Sequence, residues 1–492
     1  MPFTSWAQFE LAEFLYKSVQ MSAGKTDMLM NILASLYNHQ DLPFASHDEL
    51  YKSIDAIPYG DCPWQSFSVK YSGPLPKDPP SWMLADYDVW YQDLLSLLEQ
   101  QFGNPEFADA INYAAKVSFT DVLTDENGQC EVCDLMSGQW AWDQSELIAQ
   151  DPDMHGATFA PIILGSDKTM VSIGTGNMEY YPIYISLGNI HNCVHCSHGS
   201  ALSILAFLSI PKTGPTHKDD IDFHHFCHQL FHSSLAAIFQ LVKDSMSKPQ
   251  VTQCMDGHFC CVIYGLGPYI TDYPEQALLT CIMQGCCTAQ NSSLDSGSRL
   301  QAHAHSKQLC MTMDSQTLWN DYGIVGGIKL FTAHFPCVDI HELIAPELLH
   351  QLIKGTFKDH LITWVNKYLE QNYPRQKALE IIAEIDHCRL AAVLLFPGLH
   401  QFPEGQGFKQ WTGDNLKELM KIYLPAITGL VPDTMVHAIA AFLEFCYIAQ
   451  KSVITCWNIL LFCTASTAYI IFPYILATSF FLVPQTLSYF ED

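Results

Sequence analysis

The longest regular pattern of apolar positions runs over residues 339–364, where Leu343, Ile344, Leu348, Leu349, Leu352, Ile353, Phe357, Leu361 and Trp364 recur at steps of three and four. That spacing predicts a buried amphipathic helix, with Pro346 in its first turn. Glu347 and His350 fall three apart beside the stripe, and Lys354, Lys358 and His360 follow at similar spacing. A second helical pattern covers residues 7–36 through Phe9, Leu11, Phe14, Leu15, Val19, Met28, Leu29, Ile32 and Leu36. Residues 41–110 are rich in Pro, Tyr and Trp and predict short helices among irregular segments. Past Ala157 the period changes. Apolar runs at 161–164 and 169–173, alternation over 181–187 and a run over 201–210 ended by Pro211 predict strands. A helix over about 219–245 and a fourth strand over 259–270 follow, ending at Thr271-Asp272-Tyr273-Pro274.

These elements divide the chain into a mostly helical region over 1–155, the first part of an α/β core over 156–279, a Cys/His/Ser-rich insertion over 280–335, a helical region over 336–450 and an apolar tail over 451–492. Three strands in close succession, a helix and a further strand match the opening of an RNase H-like fold. At 492 residues there is room for two or three domains. Hydrophobic residues make up 49% and charged residues 15% of the chain, the latter well under the usual level of about 25%. The net charge of −27 runs against the basic footprint of a nucleic-acid-binding protein. Of the 24 basic residues three are arginines, at 299, 375 and 389, beside 21 His and 18 Cys. Residues 1–10 hold no apolar run behind a basic stretch, so no secretory signal is expected and the cysteines are expected to be free thiols.

The string PELLHQLIKGTFKDHLITW, which ends at Trp364, resembles the helix after the second catalytic aspartate in Plavaka-type DNA transposases, relatives of the CACTA and Kyakuja-Dileera-Zisupton elements. Further strings agree in the same order: PFASHDELYKSIDAIPYGDCPWQSFSV at 43–69, MSGQWAW at 136–142, PIILGSDKTMVSIGTGNMEYYPIYISLGNIHN at 161–192, DYPEQALL at 272–279 and FPEGQGFKQWTGDN at 402–415. So many strings in register over about residues 1–450 are far more specific than one short motif. The resemblance implies an α/β, RNase H-like transposase core with a helical N-terminal region and a helical insertion, acting in the nucleus on the terminal repeats of an element, with room for an oligomer. It implies Asp167, within the first strand, and Asp272, just after the fourth, as the first two acids of a DDE triad holding Mg²⁺, whose job is to activate the attacking oxygen and steady the leaving one. Lys168 is implied near the scissile phosphate. Glu347-Leu348-Leu349-His350 stands where the family has Asp or Cys, two residues, then His, so Glu347 departs from the usual Asp and His350 keeps the pattern. No residue past 450 has the context of the third acid, Glu444 falling too early and Glu491 lying in the tail. Taken on residue types alone, each aspartate reads as a turn or strand-end cap.

Arg codons of the CG type turn into Cys, Trp, His or Gln codons when methylated cytosine deaminates, and this chain is poor in the source and rich in the products. His224, His225, Cys227 and His228 occupy a segment that carries Arg in the family; His195, Cys196, His387 and Cys388 fit the same history. Decay of a silenced element therefore accounts for the acidic charge, and this copy is expected to be inactive. The four-residue spacing of His224, His228 and His232 imitates a metal site. Cys130 and Cys133 form a lone C-x-x-C, and Cys286, Cys287, His303 and His305 suit the remnant of a zinc knuckle, so structural zinc is not expected. The 31 uncharged residues over 453–483 are long enough to span a bilayer, or are sequence unrelated to the family. The alternatives to a transposase are a non-catalytic scaffold or nucleic-acid-binding relic, and a membrane-anchored protein.

Overall fold

A computed structural model of the chain describes residues 3–19, 21–36, 43–56, 62–119, 130–172, 178–195, 201–283, 308–336, 338–346, 348–394, 396–407 and 412–455. The chain separates into two compact units, Met1–Pro63 and Trp64–Asp492. The larger is organised by one mixed sheet: β1 (Gln65–Lys70), β2 (Asp86–Tyr91), β3 (Thr158–Ser166), β4 (Pro182–Leu187), β5 (Ser203–Phe207), β6 (Gln250–Gln253), β7 (Phe259–Thr271) and β8 (Ile344–Pro346). Its order is β1-β2-β5-β4-β3-β7-β6, with β8 paired to the end of β7. β4 runs antiparallel to both β5 and β3, whereas β7 joins β3 in parallel and β8 joins β7 in parallel. Ala160, Ile162, Leu164, Ile183, Ile185 and Leu187 are fully buried, as expected of central strands covered on both faces.

Two helices cover this sheet. In α1 (Leu94–Phe102), Asp93 caps the first turn by accepting the Ser96 N–H, and Leu94, Leu98 and Phe102 are fully buried; Gln101 Nε2 donates to Ser203 Oγ at 2.9 Å. In α2 (Ile221–Phe239), Phe231 stacks on Tyr181 with centroids 5.8 Å apart, and Phe226 lies 5.1 Å from Tyr87 and 5.2 Å from Trp82. Three expectations are corrected. Residues 65–70 and 86–91, expected within a mostly helical region, form β1 and β2, with Val69 opposite Tyr87 and Phe67 opposite Val89. The run over 169–173 does not prolong β3: Thr169–Ser172 turns away to pair with Met178–Tyr180 in a separate hairpin. The run over 201–210 is a strand only from Ser203 to Phe207.

The helix predicted over 339–364 is broken. Ile340–Leu343 forms one turn, Ile344–Pro346 forms β8, and the continuous helix runs over Leu349–Ile362 and Thr363–Asn372. Pro346 lacks the N–H of a helix interior and suits an edge strand, and the free edge at the end of β7 supplies the partner. Leu352, Ile353, Phe357 and Leu361 are buried as the stripe requires, but Val365 takes the next core place while Trp364 stays 43% exposed beside His360. With Gly413–Ile427 and Asp433–Ala449 these residues form a separate apolar cluster centred on Phe357, Leu419 and Tyr423.

Within Met1–Pro63, the pattern over 7–36 makes two helices, Trp6–Glu13 and Ala23–Leu36, because Ser22 accepts the Thr26 N–H and opens a new first turn. His47–Asp55 adds a third, and Ala12, Leu15, Met30, Phe44 and Leu50 form its core. Among the described residues no helix is long and apolar enough to cross a membrane. Apart from residues 453–455, the apolar run over 453–483 lies outside the described residues, as do Cys286, Cys287, His303 and His305.

Candidate active site

β7 and β3 run in parallel, Ile162 opposite Leu266 and then Leu164 opposite Tyr269, so β7 carries one extra residue between. This bulge has a chemical cause. A side chain at Gly267 would stand 2.9 Å from the Ile162 carbonyl oxygen, and Pro268 has no N–H for the ladder. The bulge resets the register to Gly165 opposite Ile270. Carried one and two steps further, that register aligns Ser166 with Thr271 and Asp167 with Asp272. Thr271 Oγ1 donates to the Ser166 carbonyl at 3.2 Å, in keeping with the first of these steps. Asp167 thus follows β3 at an exposed position, rather than lying within the first strand as expected. Asp272 caps α3 (Tyr273–Thr280), its Oδ1 accepting the Glu275 N–H at 3.0 Å with Pro274 in the first turn.

Glu275 is the residue that sequence reasoning missed. Its place three residues after a capping Asp is that of a capping box, which would turn its carboxylate back to the cap. Instead it is buried and accepts a hydrogen bond from Ser166 Oγ. Burial pushes its carboxyl above the usual carboxylate range, outweighing the hydrogen bonds from Ser166 and Tyr181. A cavity of about 340 Å³ opens beside it, bordered by Lys168, Tyr181, Cys227, Phe231, Asp272 and Glu275. Lys168 Nζ lies 3.3 Å from Glu179 Oε2, so its charge is shared with a carboxylate of the neighbouring hairpin.

Glu347 lies outside the described residues, between β8 and the helix that carries the exposed His350. That helix is tied to α3: Gln351 Nε2 donates to Gln276 Oε1 at 2.9 Å, and Gln276 Nε2 donates to the Thr271 carbonyl at 2.9 Å. His232 has a different role from the metal-like spacing it shares with His224 and His228. Fully buried, it accepts the Phe331 N–H on Nδ1 at 3.2 Å and reaches the Leu278 carbonyl through Nε2 at 3.2 Å, which fixes one neutral tautomer. Burial pushes both His228 and His232 down to about 4. Cys133 Sγ contacts Asp134, and Cys130 begins a short strand.

Among the described residues no group of three or more His, Cys, Asp or Glu side chains is placed to hold a metal ion. Two carboxylates at adjoining strand ends nonetheless fit Mg²⁺, which takes hard oxygen donors and commonly uses one or two protein carboxylates together with water and substrate phosphates. Compared with known families, the chain is matched over residues 44–365 by the family described as Plavaka transposase. That span holds all eight strands, Asp167, Asp272 and Glu275. No curated protein matches it.

Proposed function

The chain belongs to the Plavaka transposase family, and from that premise we propose that it is an RNase H-like, transposase-derived core that engages the terminal repeats of a mobile element in the nucleus through Mg²⁺ at Asp167 and Asp272. One observation carries this reading. The three neighbouring parallel strands each pass directly, in sequence, to an acid: Ser166 to Asp167, Thr271 to Asp272 and Pro346 to Glu347. The strand order supports it, with three antiparallel strands, a helix, and then β7 and β8 added in parallel on the far side of β3. Glu347 stands in the sequence where a third acid would follow its strand, whereas the resemblance puts the third acid past residue 450.

Asp167 and Asp272 would hold the metal, which when bound supplies the charge that activates an attacking oxygen and steadies a leaving one on phosphate. The residues of this chain contribute placement: the bulge at Gly267-Pro268 sets the register, and the cap to Glu275 N–H fixes one oxygen of Asp272. The weakness lies in holding DNA. The chain carries −27 net charge and three arginines, and Arg389 is committed internally to Glu384 at 2.9 Å and to the Thr428 carbonyl at 2.7 Å. Every DNA phosphate that meets no cation lowers the affinity and forgoes the counterion release that makes such binding depend on salt. Glu347 in place of Asp adds a methylene to the position beside His350.

The test is a cleavage assay with the full chain, Mg²⁺ or Mn²⁺, and duplex DNA carrying the flanking terminal repeats. The expected result is no metal-dependent nicking above background. Nicking that Asp167→Ala abolishes would show an active enzyme and overturn the inactive part of this reading.

A further inference from the structure

We infer that Glu275 is a positioning residue that joins the ends of β3 and β7 and so fixes the separation of Asp167 and Asp272. The inference rests on the reading of those two aspartates as a metal site and adds to it a residue that neither the motif nor the triad contains. Its geometry is specific. Glu275 touches both strand ends at once: its N–H goes to Asp272 Oδ1 at 3.0 Å, and its carboxyl takes the hydroxyl of Ser166, the residue before Asp167. Tyr181, which leads into β4, adds its hydroxyl, so three adjoining strand ends meet on one carboxyl.

Thr271 Oγ1 donates to the Ser166 carbonyl at 3.2 Å, so the two strand ends are also joined directly. The groups that face the Glu275 carboxyl are Ser166 on β3, Tyr181 before β4, Tyr269 and Thr271 on β7 and Asp272 at the head of its own helix, with Lys168 on the border of the shared cavity.

The experiment is Mn²⁺ binding to the full chain, followed by electron paramagnetic resonance at a temperature where circular dichroism shows each variant folded. Residues that orient metal ligands typically alter affinity by about 10–100-fold when removed. Glu275→Ala and Ser166→Ala are expected to weaken Mn²⁺ binding by about tenfold, the lower end of that range. Glu275→Gln, which keeps an acceptor for the Ser166 hydroxyl, is expected to bind like the parent. Folded Glu275→Ala that binds Mn²⁺ as tightly as the parent would overturn the inference. If Glu275→Ala does not fold, Ser166→Ala decides alone, and unchanged affinity there overturns it equally. If instead Asp167→Ala and Asp272→Ala leave the parent's Mn²⁺ binding intact, or the parent binds none, the metal reading itself fails and this inference with it.

Discussion

At the ends of β3 and β7 the polar side chains of Ser166, Thr271 and Glu275 are packed below the surface, with His232 fully buried further along the same unit. Between Leu349 and Ala449 the interior is filled instead by Leu, Ile, Phe and Tyr, with the Phe357 ring set edge-on to Tyr423 at 5.5 Å. Both regions are closed to water, but different terms hold them. An apolar cluster is stabilised by area and close packing, so its stability falls in proportion to the volume removed. A buried polar group is stabilised only while its partners are present, and removing one leaves the other unpaired at full desolvation cost. The helical cluster should therefore tolerate exchange for apolar residues of similar size, whereas the strand ends should tolerate only exchanges that keep the hydrogen-bonding atoms.

The largest expected effect comes from breaking the apolar side. Phe357→Ala empties a fully buried ring site and should cost about 3–5 kcal/mol in denaturant unfolding, while Phe357→Leu should cost much less. Equal effects for the two would mean that ring geometry, not volume, holds the cluster. On the polar side, His232→Ala removes the partners of the Phe331 N–H and the Leu278 carbonyl and should cost about 2–4 kcal/mol. Here an apolar replacement of similar size, His232→Leu, should not rescue. Full rescue by Leu would show that His232 acts as volume alone.

The smallest effect sharpens the contrast through pH. His228 and His232 have folded values near 4 against an ordinary 6.5, so between those limits the unfolded chain binds more protons than the folded one. Stability should be intact above about pH 6.5 and fall as pH drops towards 4, by roughly 1.4 kcal/mol per pH unit for each histidine. His232→Leu should flatten part of that slope, and Phe357→Leu should leave it unchanged. A slope that survives replacement of both His228 and His232 by Leu would assign the acid sensitivity elsewhere.

Local pattern was enough for the elements whose period matches their burial. β7 was legible from its apolar run and its Thr-Asp-Tyr-Pro end, and α2 from its spacing. The resemblance of the long strings placed the chain in its family, which the match over residues 44–365 bears out. β8 was not legible, because Ile344, Ala345 and Pro346 sit inside a stripe of helical period. Three residues are too few to set a period of their own. β1 and β2 were hidden in a Pro- and Trp-rich stretch, and they become strands through pairing with each other and with β5.

The sequence by itself determined the family, the apolar helix after Leu348 and the central strands, because each is written in contiguous residues. The tertiary structure alone decided which partners the isolated polar residues found. Ser166 and Glu275 are 109 residues apart, and His232 and Phe331 are 99 apart. No local period encodes a pairing across such a distance. The one-residue bulge at Gly267-Pro268 shifts the register of β7 against β3 and sets Ile270 opposite Gly165, each two residues before an aspartate. A shift of one residue turns a side chain to the opposite face of a sheet, so the geometry of this site is fixed by strand pairing and not by the motif around either acid.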